Sequence, residues 1–334
     1  MDALPVIDVS ALVRGEAPPE VAAAIRRACE EHGFFYVRGH GVDPDLERAL
    51  EAESRRFFAL PAAAKEAIAM ARGGRAWRGY FPVGGELTSG RPDLKEGLYF
   101  GAELGPDHPK VAAGARMHGA NLFPPTQPSL RPVVLAYLAA MTELGHALMR
   151  GIAGSLGLDP SLFRRRYMSD PLILFRIFHY PPEEPAGEPS WGVGEHTDYG
   201  VLTILKQDDA GGLEVRTRAG WIAAPPLPGA FVCNLGDMLE RMTGGLYKST
   251  PHRVRNRSGR GRLSFPFFFD PDFDATIEPL PISDTGDTGH TGHTGAADDD
   301  AATRWDHRSV HDFRGTYGDY LSAKVAKVFP ELAD

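Results

Sequence analysis

Residues 195–207 read Glu195-His196-Thr197-Asp198-Tyr199-Gly200-Val201-Leu202-Thr203-Ile204-Leu205-Lys206-Gln207. The second half is a short strand, 201–206, entered through Gly200 and left at Asp208-Asp209. Similar runs lie on either side at 172–180, 213–216, 231–234 and 263–269, separated by Gly, Pro and Asp turns. Short strands at this spacing predict an all-β sandwich or barrel over 171–269. In the first half, residues i and i+2 of extended chain share a face, so His196 and Asp198 turn toward one point.

A His-x-Asp pair is a weak signal alone. The second segment strengthens it: His252 is followed, ten residues later, by Arg262-Leu263-Ser264. Two histidines and one carboxylate fill half an octahedron and leave positions open, the facial-triad pattern of non-haem iron. Arg262 and Ser264 share a face of the next strand, and a guanidinium beside a hydroxyl makes an end-on receptor for a carboxylate. Arg262 opens the apolar run Phe265-Pro266-Phe267-Phe268-Phe269, where an unpaired charge is costly. Arg253, Arg255, Arg257 and Arg260 read instead as a solvated charged face.

Outward from this core, 5–9 reads as a strand, Pro18-Pro19 opens a helix that Gly33 ends, and 33–37 is a second strand. Helices follow at 44–58 and from Pro61. Residues 72–127, rich in Gly, Pro and aromatics, read as a long irregular region. Leu135, Leu138, Met141, Leu144, Leu148 and Ile152 sit at helical spacing in one long helix, 128–156. The Thr-Gly tract around His290 and His293 makes 283–302 a low-complexity loop, and Val310, Phe313, Tyr317, Tyr320, Val325 and Phe329 mark a C-terminal helix. The organisation expected is an N-terminal region 1–127, a long helix plus β core 128–282, the loop 283–302, and a closing helix 303–334.

Composition is that of an ordinary globular chain. A formal charge of -8 argues against nucleic acid as a partner. No apolar run approaches the roughly 20 residues of a membrane span, and the N-terminus lacks a signal peptide's pattern. Two cysteines, Cys29 and Cys233, offer neither a disulfide framework nor a cysteine-rich zinc site, so a reducing, cytoplasmic setting is expected. Oligomeric state is not legible.

Over most of its length the chain resembles the isopenicillin N synthase-like branch of the iron(II)/2-oxoglutarate-dependent oxygenases. The residues that carry the resemblance include Pro5-Val6-Ile7-Asp8, His32-Gly33-Phe34-Phe35-Tyr36-Val37 and Arg78-Gly79-Tyr80. Lys95-Glu96, Tyr180-Pro181-Pro182, His196-Thr197-Asp198, Asn234-Leu235-Gly236-Asp237, Lys248-Ser249-Thr250-Pro251-His252 and Arg262-x-Ser264 continue it. The resemblance implies an α+β fold with a distorted double-stranded β-helix (jelly-roll, cupin-like) core flanked by N-terminal and C-terminal helices. It implies Fe(II) on His196, Asp198 and His252, and 2-oxoglutarate gripped by Arg262 and Ser264 with help from Tyr180. O2 is the oxidant, and succinate and CO2 are released. Two departures, Phe178 where many relatives carry Asn and Gly244-Gly245 where Asn-Gly is common, touch cosubstrate contact and loop shape.

The substrate expected is a small polar or carboxylated molecule undergoing hydroxylation, desaturation or cyclisation. Phe268 shares the face of Arg262 and Ser264, a position that lines the substrate pocket in similar enzymes. Arg176, four residues before Tyr180, lies on that strand's same face. Arg78, Tyr80, Glu96 and Tyr99 lie in the region that covers the active-site mouth in relatives; for each, a structural ion pair is the plainer reading. His179 points away from Tyr180 and is structural. Three other readings stay open: an oxidase of the isopenicillin N synthase or aminocyclopropane-carboxylate oxidase type that uses no 2-oxoglutarate, a non-catalytic jelly-roll binding protein, and a zinc hydrolase with Glu195 as base.

Overall fold

The computed structural model describes residues 3–88, 90–182, 191–282 and 309–328. The chain opens with β1 (Val6–Asp8), α1 (Ser10–Val13), α2 (Pro19–Glu31), β2 (Phe34–Arg38), α3 (Pro44–Phe58) and α4 (Ala62–Glu66). Proline at the first turn starts α2 and α3, and the Asp43 carboxylate caps α3 by accepting from the Asp45 N–H. Each then buries one stripe, Ile25, Ala28 and Cys29 in α2 and Leu50, Phe57 and Phe58 in α3.

Next come β3 (Gly79–Phe81), the small hairpin β4 (Leu87–Thr88) and β5 (Arg91–Pro92), β6 (Glu96–Gly101), α5 (Pro109–Ala112), α6 (Leu130–Ser155) and α7 (Leu162–Arg166). The β core follows as β7 (Leu172–Tyr180), β8 (Val193–His196), β9 (Leu202–Gln207), β10 (Leu213–Thr217), β11 (Gly220–Ala223) and β12 (Phe231–Leu235). After α8 (Asp237–Met242) come β13 (His252–Val254), β14 (Arg262–Asp270) and α9 (Tyr317–Val328).

Eight strands form the major sheet in the order β1-β2-β12-β9-β14-β7-β6-β3, and four form the minor sheet, β11-β10-β13-β8. These two sheets are the jelly-roll core that the sequence led us to expect. Helix α6 backs it, with Gly145 set against the Phe269 ring of β14 and contacts to α2 and α3.

One expectation about the fold needs correction. The region 72–127 is not irregular throughout, because β3 and β6 extend the major sheet. All six residues of β6 are buried, so its sequence lacks the polar alternation that reveals a half-exposed strand. Helix α6 is, by length and apolar composition alone, able to cross a membrane. Fifteen of its residues are buried against the rest of the molecule, which accounts for the apolarity as core packing. The tract 283–302 and Phe329 lie outside the described residues.

Helix α8 begins hard against the loop that follows β8. A Cβ on Gly236 would stand 2.4 Å from the Gly200 carbonyl oxygen, so backbone would have to move to accept any side chain. Gly236→Ala is expected to lower unfolding stability by roughly 1–3 kcal/mol, the usual cost of overpacking. Denaturant titration reads this directly, and an unchanged midpoint would show that the loop yields freely.

Candidate metal centre and carboxylate pocket

Strand β13 pairs with β8 so that His252 lies opposite His196, and their ring centroids are 4.2 Å apart. Asp198, two residues past His196, brings Oδ1 to 3.8 Å from His196 Nε2 and 3.7 Å from His252 Nε2. The three donor atoms all fall within 4.8 Å of one another, and among the described residues no other group of His, Cys, Asp and Glu does so.

Each ligand is aimed by a second contact. His196 Nδ1 meets the Gly194 carbonyl at 2.8 Å and His252 Nδ1 the Thr250 carbonyl at 3.2 Å. A carbonyl only accepts, so the proton sits on Nδ1 and the Nε2 lone pair faces the centre. Asp198 Oδ2 accepts from Thr203 Oγ1 and from Asn234 Nδ2, the latter at 2.7 Å, which leaves Oδ1 for a cation. Burial, then the neighbouring His196, holds His252 down at about 4, and burial lowers His196 as well. Burial opposes ionisation of Asp198, but the two imidazoles and its two hydrogen bonds keep its carboxyl below the usual range. Two neutral imidazoles and a carboxylate on one side of a point fit iron(II) with open positions opposite.

A second receptor lies on β14 and β7, where Arg262 pairs with Tyr180 and Ser264 with Phe178. The Arg262 side chain is 1% exposed, and its Nε donates to the Gly211 carbonyl. Its two terminal nitrogens are buried with no hydrogen-bond partner among the described residues. The guanidinium carbon lies 4.6 Å from the Tyr180 ring centre, and Tyr180 Oη is 3.3 Å from Ser264 Oγ. A buried unmatched cation costs several kcal/mol unless an anion completes it. A carboxylate accepted by both nitrogens and by the Ser264 hydroxyl is the matching group, and the distal carboxylate of 2-oxoglutarate fits it.

One cavity holds the metal ligands and this receptor. Arg176 and Phe268 stand on its wall, whereas Arg78, Tyr80, Glu96 and Tyr99 do not. Arg78 is enclosed behind β6 and donates to the Met117 carbonyl at 2.8 Å. Glu96 pairs with His179 across the outward faces of β6 and β7. There it accepts from Lys65 and Tyr80 at 2.7 Å each and contacts His179 Nδ1 at 2.8 Å. Strand alternation thus turns Glu96 away from the cavity. Tyr99 faces inward one layer back, its hydroxyl 2.5 Å from Glu86 Oε1. Glu195 points outward to Arg216 at 2.8 Å, away from the role of a hydrolytic base. Arg253 is not simply solvated: its guanidinium stacks between Trp191 and Trp221 and pairs with Glu214 at 2.7 Å.

Several wall residues escaped the sequence reading: Glu86, Thr88, Lys95, Asp270 and Tyr317. Asp270 follows Phe268 at i+2 and alternation alone could have found it. Tyr317 Oη donates to Asp270 Oδ2 at 2.6 Å, and Asp270 Oδ1 accepts from Val201 N at 3.0 Å. Tyr320 Oη donates to Asp237 Oδ2 at 2.8 Å, while the Asp237 N–H donates to the Asp198 carbonyl at 2.8 Å. Helix α9 is therefore fastened to two acids that brace the loop 198–201.

Comparison with known proteins agrees with this geometry. Residues 4–126 match the family described as non-haem dioxygenase in morphine synthesis N-terminal, and residues 170–271 match the 2OG-Fe(II) oxygenase superfamily. A Dictyostelium discoideum protein named "Probable iron/ascorbate oxidoreductase" is 48% identical, covering 99% of this chain and 96% of its own. This chain belongs to the 2OG-Fe(II) oxygenase superfamily. A 1-aminocyclopropane-1-carboxylate oxidase of Dictyostelium mucoroides is 36% identical over 99% of this chain and 96% of its own. A homoarginine-6-hydroxylase of Glycine max is 35% identical over 98% of each. A full-length Neurospora crassa protein, crystallised in complex with alpha-KG, superposes with a TM-score of 0.77 at 28% identity, over 97% of this chain and 96% of that one. The protein is accordingly a 2-oxoglutarate-dependent dioxygenase that works with iron.

Burial pushes the Asp270 carboxyl up to about 7 from an ordinary 3.8. The folded state then binds the extra proton between those values, so this residue's contribution is full below about pH 4 and is lost as pH rises through 7. Asp270→Asn should therefore gain on wild type as pH rises from 5 to 8, by roughly 2–3 kcal/mol at about 1.4 kcal/mol per unit. A stability difference between the two proteins that stays constant across this range would refute the shift.

Proposed function

We propose that this oxygenase oxidises a small polar or carboxylated metabolite in the cavity between β7, β14 and α9, with 2-oxoglutarate anchored on Arg262. The observation that carries the proposal is the pair of buried, partnerless Arg262 nitrogens beside Ser264 and Tyr180. In this reading His196 Nε2, Asp198 Oδ1 and His252 Nε2 hold iron(II). When bound, iron with 2-oxoglutarate and O2 supplies a two-electron oxidant, at the cost of one 2-oxoglutarate converted to succinate and CO2.

The chain's own groups do the rest. Thr203 and Asn234 keep the Asp198 carboxylate oriented and ionised, so it offers charge rather than a proton. Arg262 fixes one end of the cosubstrate by a two-point contact that also neutralises it. Leu321 and Val325 of α9 line the cavity together with Leu87 and Thr88 of the hairpin, which α9 contacts, and this cover keeps bulk water from the reacting centre. The substrate is free in this reading to be hydroxylated, desaturated or cyclised. The two buried thiols, Cys29 and Cys233, suit a reducing, cytoplasmic setting.

The relationships to an aminocyclopropane-carboxylate oxidase and to a probable iron/ascorbate oxidoreductase favour a second reading, in which the Arg262 socket receives a different carboxylate and ascorbate supplies electrons. Succinate assays under oxygen separate the two. We expect succinate from the iron(II) protein and 2-oxoglutarate, stimulated by the right metabolite, and a KM for 2-oxoglutarate at least tenfold higher in Arg262→Gln. Ascorbate-driven turnover without 2-oxoglutarate would establish the oxidase reading instead.

A further inference from the structure

Next to the metal ligands the cavity wall carries a second, incompletely matched charge cluster. Glu86 and Lys95 are buried, at 5% and 2% exposure, and Lys95 pairs with both Asp93 and Glu86. Arg176 is less well served. Its guanidinium is packed between the rings of Tyr99 and Phe268, at 4.3 and 4.8 Å from the centroids. The acid it meets is Glu86, with Nη1 and Oε1 3.4 Å apart, which is long for a charged pair that normally closes to about 2.8 Å. Its Nε has no hydrogen-bond partner among the described residues, and 18% of the side chain stays open on the cavity wall. Glu86 also has capacity left. Oε1 takes the Tyr99 hydroxyl and Oε2 is paired with Lys95 Nζ at 2.8 Å; a carboxylate offers about four acceptor sites, so Oε2 can take a further donor.

We infer that Arg176 and Glu86 form a receptor for the zwitterionic head group of an α-amino acid substrate. The inference rests on the oxygenase reading above and names the substrate class for that site. An α-ammonium and its carboxylate lie about 3 Å apart, and here two opposite charges face the cavity at a similar spacing. A head group docked antiparallel on the pair gives Arg176 a carboxylate and Glu86 an ammonium donor, replacing one long contact with two charge-assisted ones. A simple acid would satisfy Arg176 but set its charge against Glu86; a simple amine would do the reverse. Glu86 keeps Lys95 as a partner in either case, so what disfavours the truncated ligands is a like charge brought against Glu86 or Arg176 in a buried site. Arg176 lies four residues before Tyr180 on β7, roughly 13 Å along the strand, so one carboxylate does not serve both this pair and Arg262. Phe268, Leu174, Leu205 and Leu321 give the amino-acid side chain an apolar wall.

Binding is tested by calorimetry on the full-length wild-type protein, anaerobically with iron(II) and 2-oxoglutarate. The probes are the twenty common L-amino acids, with 4-methylpentanoate, 3-phenylpropanoate and 5-guanidinopentanoate as acids lacking the amine, and leucinol, phenylalaninol and argininol as amines lacking the acid. At least one amino acid is expected to bind with a Kd below 1 mM, and every truncated analogue at least tenfold more weakly. Arg176→Lys and Glu86→Gln should each weaken that amino acid at least tenfold. The truncated ligands read out on wild type, so a variant that fails to fold does not decide the matter. An acid binding as tightly as its amino acid, or no amino acid binding at all, overturns the inference. Amino-acid binding without any succinate under oxygen leaves this inference standing and overturns the oxygenase reading.

Discussion

The Asp198 carboxylate divides its two oxygens between two tasks, and the site depends on that division. Oδ2 is held by Thr203 of β9 and Asn234 of β12, both in the major sheet. Oδ1 faces His196 of β8 and His252 of β13, both in the minor sheet. One side chain thus ties the two walls of the jelly roll together at the point where a cation belongs. His252 and His196 do most to keep this buried carboxyl ionised, and the Thr203 and Asn234 hydrogen bonds act in the same direction while fixing its orientation. The same loop is braced from outside, since α8 starts on the Asp198 carbonyl and α9 reaches it through Asp237 and Asp270.

Strand alternation distributes the remaining chemistry. On β14 the inward file is Arg262, Ser264, Pro266, Phe268 and Asp270; on β7 it is Leu174, Arg176, Phe178 and Tyr180. Two arginines on adjacent strands therefore face one cavity at different depths, each short of partners. Among the described residues Arg262 has no acid partner, while Arg176 has only a distant one. Buried cations left in this state signal ligands more strongly than conventional ion pairs do, because folding gains little by burying them. The outward files of the same strands hold the ordinary pairs, such as Glu96 with His179.

The parts legible in the sequence were those with strong local periodicity or an i, i+2 signature. Helix α3 and strand β7 run over the residues their sequence pattern marks, 44–58 and 172–180; His196 with Asp198 and Arg262 with Ser264 are legible as sharing strand faces, whereas His252 and Tyr180 enter through the family resemblance. What was missed had a physical reason. Strands β8, β11 and β13 have three or four residues each, too short for a period to show, and β6 is buried on both faces. Glu86 and Lys95 come from a hairpin and its exit, and Tyr317 from a helix far along the chain. Their convergence is tertiary, and no local pattern encodes it. Arg78, Tyr80 and Glu96 were drawn in by their place in a loop-rich region, whereas pairing register turns them to other surroundings.

The central claim is that one cavity holds iron on His196, Asp198 and His252 with the far carboxylate of 2-oxoglutarate on Arg262. An anaerobic crystal structure of the iron(II) protein with 2-oxoglutarate tests it most directly. The account predicts metal density within bonding distance of both Nε2 atoms and Asp198 Oδ1, with the distal carboxylate on the Arg262 terminal nitrogens and Ser264 Oγ. Metal bound elsewhere, or a cosubstrate carboxylate on Arg176 with Arg262 still unpartnered, would contradict it.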